Sequence, residues 1–298
     1  DGKPTMDMSQ QEVVKAIRGP KGSKVELLIL HKDTHAPVSV SIERASVPLR
    51  SVRARYVEDG FLWVRLTRFS EKTTNELNEA LDSARKQTTL KGIILDVRNN
   101  PGGLLDQAVS VSDVFLQDGL IVSMKGRSAA RQREFTARKS SRDVSEPVVV
   151  LVNSGSASAA EIVAGALQDR KRAVLVGERT FGKGSVQEIK PVGDAAIKLT
   201  THMYYTPSGR SIQASGIDPD LEVPFETPRE NAESAQRMQL REQDLSRHLK
   251  SADKDKAKGD GFKPDPEAVS MLERDNQLRM ALQVLKSLPR IQELSWKK

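Results

Sequence analysis

Apolar residues recur along this chain at two spacings, and the change from one to the other marks out its elements. Residues 148–152 are β-branched and uninterrupted, and 92–97 are nearly so, which suits strands buried on both faces. Residues 173–177, 120–124 and 196–206 read as further strands, while 51–57 and 60–66 pair around Asp59-Gly60, a hairpin signal. Helical spacing runs through 71–86, with Leu77, Leu81 and Ala84 on one side, and through 105–116 and 159–167. The alternation predicts an α/β domain over residues 46–224.

Both ends depart from this pattern. Near the start, Ser9 and Glu12 are spaced as a capping box, Val13, Ala16 and Ile17 form a stripe, and Gly19-Pro20 ends the helix. Strands at 25–30 and 38–42 follow, and 45–49 is a short link. After Pro224 the composition changes. Residues 230–250 are rich in Glu, Gln and Arg and read as an exposed helix, and 251–261 form a charged Lys/Asp run that reads as flexible. Helical spacing resumes over 265–288 through Val269, Leu272, Leu278, Leu282 and Leu285.

Candidate chemistry centres on the turn 153–158, which leads from the 148–152 strand into the 159–167 helix. Ser158 and Glu161 are spaced as a capping box, so Ser158 stands at a helix N-terminus. There the first backbone N–H groups lack internal partners and the helix dipole favours negative charge, so an oxyanion beside Ser158 can be met by the N–H of Ala159. Serine needs a base. A lysine serves if burial disfavours its ammonium form, and Lys183 stands between Gly182 and Gly184. In an extended segment Lys183, Ser185 and Gln187 share a face, which lets the Gln187 amide orient the amine. On the residues alone, a serine that only caps its helix and a solvated loop lysine remain open. So does a triad using His202.

Four runs narrow the choice: 95–103 (LDVRNNPGG), 153–161 (NSGSASAAE), 180–187 (TFGKGSVQ) and 204–213 (YYTPSGRSIQ). In order and spacing they resemble the carboxyl-terminal processing, or tail-specific, proteases. The resemblance covers about residues 1–224. It implies a protease core of mixed β-sheet packed with helices, crotonase- or Clp-protease-like, with Ser158 as nucleophile, Lys183 as general base and Gln187 positioning the lysine. It further implies that Gly102 or Gly103 supplies an oxyanion-hole N–H beside Ala159. Asp96 and Arg98 read as residues that hold the strand end and take no part in chemistry. Residues 1–45 resemble the second half of a PDZ domain, truncated, with the family's carboxylate-binding loop upstream of residue 1. Such domains bind peptide C-termini by strand addition. Residues 225–298 are expected as a charged linker and helical extension, open to a homodimer through its helices or to a self-packed helix.

Composition adds little. At 298 residues the chain is long enough for two domains, and with 4% aromatics its core must be aliphatic. The formal charge of +7 is spread out and lacks the aromatic interleaving of a nucleic-acid binder, so no nucleic acid is expected. There is no cysteine and hence no disulfide or thiol chemistry. The mechanism implied needs no metal or organic cofactor. No signal peptide or membrane span is legible, and the resemblance places the protein in a bacterial cell envelope, in the periplasm. It implies protein or peptide substrates with apolar C-termini and leaves room for an adaptor or regulatory protein. Two rival readings stay open: a catalytically silent peptide-binding scaffold of the same fold, and a carrier of hydrophobic ligands.

Overall fold

A computed structural model describes residues 1–31, 36–46, 49–127, 132–193, 195–226 and 265–293. The helix expected at 230–250 and the charged run at 251–261 lie outside them. The chain divides into two compact units, Asp1–Leu49 and Arg50–Lys298.

The first unit holds helix α1 (Gln10–Ile17) and an antiparallel pair, β1 (Lys24–Ile29) and β2 (Val38–Glu43). The capping box forms, with the Glu12 carboxylate accepting from the Ser9 N–H at 2.8 Å. Arg44 ties the pieces together by donating to the carbonyls of Ile17 at 2.7 Å and Lys24 at 2.8 Å. Among the described residues of this unit only Val25 is a buried hydrophobe. It therefore has almost no core of its own.

The second unit is built on a six-stranded sheet of β3 (Val52–Glu58), β4 (Phe61–Leu66), β5 (Gly92–Asp96), β8 (Val148–Val152), β9 (Ala173–Gly177) and β12 (Leu221–Glu222). Their order is β12-β9-β8-β5-β4-β3, parallel except for the β3–β4 hairpin. Strand periodicity explains the unbroken apolar runs. Ile93, Leu95, Val148, Val150 and Val152 face one side, with helices α2 (Thr73–Gln87), α3 (Leu105–Phe115) and α4 (Ala159–Asp169), while Ile94, Val149, Leu151 and Val176 face the other. Each such side chain, fully buried, contributes about 1.5–3 kcal/mol. A second, antiparallel sheet is ordered β10-β11-β6-β7, from β6 (Leu120–Gly126), β7 (Arg133–Thr136), β10 (Ser185–Val192) and β11 (Ala195–Tyr205).

The far face of the six-stranded sheet is covered by the C-terminal helices. The apolar spacing over 265–288 reads as one helix, but the chain breaks at Asp275 into α5 (Pro266–Arg274) and α6 (Asn276–Glu293). The Asp275 carboxylate accepts from the N–H of Leu278 at 2.9 Å, so it caps the new helix. Leu278, Ala281, Leu282 and Leu285 are buried against β5, β8 and β9. That stripe is used within the chain, and these helices belong to the same compact unit as the sheet. No helix among the described residues is long and apolar enough to cross a membrane.

Candidate active site

In a parallel sheet the turns after neighbouring strands emerge on the same edge. Here β5 runs into 97–103 and β8 into 153–158, and the two turns are laced together. The N–H of Asn99 donates to Asn153 Oδ1 at 2.8 Å, the N–H of Ala157 to the Asn100 carbonyl at 2.9 Å, and the Ser156 hydroxyl to the Val97 carbonyl at 2.8 Å. Ser156 is fully buried and its oxygen also accepts the Asn153 N–H at 3.0 Å, so its hydroxyl is committed to the turn.

Ser158, two residues on, is half-buried at the N-terminus of α4. Its backbone sits at φ 57°, ψ −112°, a region that residues with a side chain rarely adopt. Holding it there costs about 1–3 kcal/mol, which the surrounding hydrogen bonds must offset. A strained residue on a strand-to-helix turn is the arrangement that exposes a nucleophilic hydroxyl in the α/β-hydrolase fold.

The strongest fastening is Glu161, which is fully buried. Its Oε2 accepts from the N–H groups of Ser158 and Lys183, each at 2.8 Å. Its Oε1 accepts from the Thr180 hydroxyl and the Gly182 N–H, each at 2.6 Å. Two backbone nitrogens on one oxygen lie no further apart than twice that bond. The serine turn and the lysine loop are thereby adjacent, although 25 residues separate them in sequence. Next along the loop, the Gly184 N–H donates to Gln213 Oε1 at 3.0 Å. Spacing alone reads Glu161 as a helix cap and assigns Thr180 and Gln213 no part; an acid inside an otherwise apolar helix was the one legible signal.

Two expectations about the lysine are not met in this state. The Lys183 side chain is exposed, whereas a neutral amine was expected to need burial. The loop backbone on both sides is tied inward to Glu161 and Gln213, and the side chain stays in solvent. Gln187 is likewise exposed on β10, and no hydrogen bond links Lys183 to Gln187 or to the Ser158 hydroxyl. His202 stands elsewhere: its Nδ1 contacts Thr201 Oγ1 at 2.9 Å and lies 3.8 Å from a Glu188 oxygen.

The amide side of the site is tighter. Ala159 is buried, and its N–H meets no acceptor among the described residues. Gly102, at φ 100°, packs so closely that a Cβ there would stand 2.8 Å from Ser158 Cβ and 3.0 Å from the Ala159 nitrogen. Its own N–H donates to Asn100 Oδ1 at 2.9 Å. Gly103 bridges to Phe69, and its N–H meets no acceptor among the described residues.

Below the turn, Asp96 and Arg98 are buried. Burial alone would lower the Arg98 pKa, but Asp96 and Asp275 outweigh it and hold the guanidinium charged. Among the described residues no three His, Asp or Glu side chains gather as metal ligands.

Comparison with known proteins gives the family. The model of peptidase family S41 matches residues 61–223, more than half of the chain. The chain is 43% identical over 264 residues to the carboxy-terminal-processing protease of Bartonella bacilliformis, covering 87% of this chain and 60% of that protein. It is 40% identical over 225 residues to the carboxyl-terminal-processing protease of Synechocystis sp., covering 74% and 52%. Among solved structures, the photosystem II D1 C-terminal processing protease superposes with a TM-score of 0.54 at 31% identity, over 75% of this chain and 61% of that one. The chain thus spans between about half and three fifths of the length of these relatives.

Proposed function

The chain belongs to peptidase family S41, and on that premise we propose that it is a serine endopeptidase that cleaves protein substrates near their C-termini. Ser158 is the nucleophile, Lys183 the general base and Gln187 the residue that orients the lysine. The observation that carries the reading is the shared Glu161 oxygen, which holds the backbones of Ser158 and Lys183 side by side, with the unengaged Ala159 N–H next to the serine.

In the reaction, neutral Lys183 takes the Ser158 proton as Oγ attacks the scissile carbonyl carbon. The tetrahedral oxyanion is met by Ala159 N–H and by an N–H of the Gly102-Gly103 turn, each such donor being worth about 10²–10³ in rate. The C–N bond then breaks, the lysine ammonium returns its proton to the leaving amine, and water hydrolyses the acyl-enzyme with Lys183 again as base. Lys183 is exposed, so a peptide seated on Ser158 would cover it. Residues 1–45 are a PDZ-like segment that selects apolar tails, a reading supported by the exposure of Val14 and Ile17 on α1. The site is periplasmic, in a bacterial cell envelope. A homodimer through the C-terminal helices would have to use faces of α5 and α6 other than the buried stripe, and an adaptor protein is a further partner.

The test is an internally quenched peptide with an apolar C-terminus. The wild type cleaves it, and Ser158→Ala and Lys183→Ala leave it whole. Equal cleavage by Ser158→Ala removes the nucleophile. A silent peptide-binding scaffold is favoured by one observation, the absence of a Ser158–Lys183 hydrogen bond, and it predicts peptide binding without turnover.

A further inference from the structure

The buried Arg98 is gripped from two directions that lie far apart in sequence. Its own strand supplies Asp96, which accepts from Nε at 3.0 Å and from Nη2 at 2.7 Å. The junction between α5 and α6 supplies the rest. Asp275 accepts from Nη1 at 3.0 Å and pairs with Nη2 at 2.7 Å, and Gln277 Oε1 accepts from Nη1 at 2.9 Å. Gln277 is itself buried and spends its amide N–H on the Val223 carbonyl at 2.7 Å. Asp275 and Gln277 lie outside residues 61–223, the part the family model matches.

What Arg98 carries makes this grip consequential. The next residue, Asn99, is turned to φ 55° and donates its N–H to Asn153. Asn100 follows: its side chain donates to the Leu66 carbonyl at 2.9 Å and accepts from the Gly102 N–H, and its carbonyl accepts from Ala157, next to Ser158. Hydrogen bonds from the α5–α6 junction thus end on the Arg98 side chain, and the backbone that follows Arg98 carries the Asn99 and Asn100 contacts that hold the turn beside the nucleophile.

We propose that Asp275 and Gln277 are positioning residues of the active site: by holding Arg98 they set where the 99–103 turn presents its N–H groups to the oxyanion. The inference rests on the protease reading above. It makes the C-terminal helices a working part of the catalytic unit, in addition to a cover for the sheet. Asparagine caps a helix about as well as aspartate, so Asp275→Asn retains the α6 cap while removing the charge that faces Arg98. Leu282→Ala is the contrast, because it loosens α6 against the sheet without touching Arg98.

The experiment uses the full chain with the quenched apolar-tailed peptide, at a temperature where every variant is folded. Asp275→Asn is expected to lower kcat by about tenfold to 10²-fold, the loss that a displacement of about 1 Å at the reacting centre brings, with KM little changed. Gln277→Met, a milder change, is expected to move kcat in the same direction by less. Leu282→Ala should keep wild-type kcat despite its lower melting temperature. In parallel, amide hydrogen exchange over residues 98–104 should quicken in Asp275→Asn and stay unchanged in Leu282→Ala. The proposal is overturned if Asp275→Asn and Gln277→Met both keep wild-type kcat, or if exchange over 98–104 does not change in either. A wild type that cuts nothing would instead overturn the protease reading, and the exchange measurement would still decide whether the junction holds the turn.

Discussion

Glu161 shows how one residue changes meaning between sequence and structure. As a capping residue it would be worth about 1 kcal/mol, but with four donors on a fully buried carboxylate it is the point at which two loops meet. Glutamine offers a single acceptor oxygen there and turns an NH2 toward the other two donors. Glu161→Gln is therefore expected to destabilise the fold by about 1–3 kcal/mol, the cost of leaving a buried donor unpaired. The serine and lysine backbones also lose their common anchor, and kcat should fall about 10²-fold, as misplacement on the ångström scale does. Thermal melting and steady-state kinetics check the two effects separately. Wild-type kcat in this variant would show that the shared oxygen is incidental. Ser156 makes the complementary point: it lies two residues from Ser158 in the same turn, yet its hydroxyl is consumed by Val97 and Asn153.

At the scale of elements, helix α4 is packed on nearly every side, with Ala159 through Leu167 all buried. Gly165 sits within it where a Cβ would meet Thr206 Cγ2 at 2.9 Å and Ile217 Cδ1 at 3.1 Å. Helix propensity favours alanine by about 1 kcal/mol, whereas overfilling a close-packed site costs about 1–3 kcal/mol. Packing wins, so Gly165→Ala should lower the melting temperature despite being the better helix former. A rise would mean that the 206–217 segment gives way easily. The C-terminal helices illustrate the other side of element formation. The apolar stripe skips from Leu272 to Leu278, and the Asp275 carboxylate between them caps α6 by accepting the Leu278 N–H while it also pairs with Arg98.

Across the whole molecule, partly buried carboxylates join distant segments and govern its response to acid. Burial pushes Glu76 up, but the hydrogen bonds from Ser51 and Val52 outweigh it and its pKa is lowered. Burial is likewise outweighed at Glu146 by Arg85, and at Asp169 by Thr206, Ser208 and Arg210. A carboxylate whose folded pKa is depressed contributes stability that is fully present above its unfolded value and is lost as pH falls through the folded one. Stability should therefore hold down to about pH 4, the ordinary carboxylate range, and decline below it. Denaturant titrations from neutral pH downward test this, and a loss beginning well above that range would contradict it. How much of this architecture the sequence carried follows from what each feature depends on. The two-face burial of 92–97 and 148–152, the Asp59-Gly60 hairpin, the helix starting at Ser158 and the glycine-flanked lysine were legible, because each rests on local spacing and backbone preference within a few residues. The sequence by itself thus determined the α/β framework and which short turns carry candidate chemistry. Only the tertiary structure decided that Glu161 joins the two loops, that Lys183 is left in solvent, and that Asp275 reaches Arg98 across 177 residues. Burial and pairing are properties of a residue's neighbours, and those neighbours are chosen by how the sheets and helices pack.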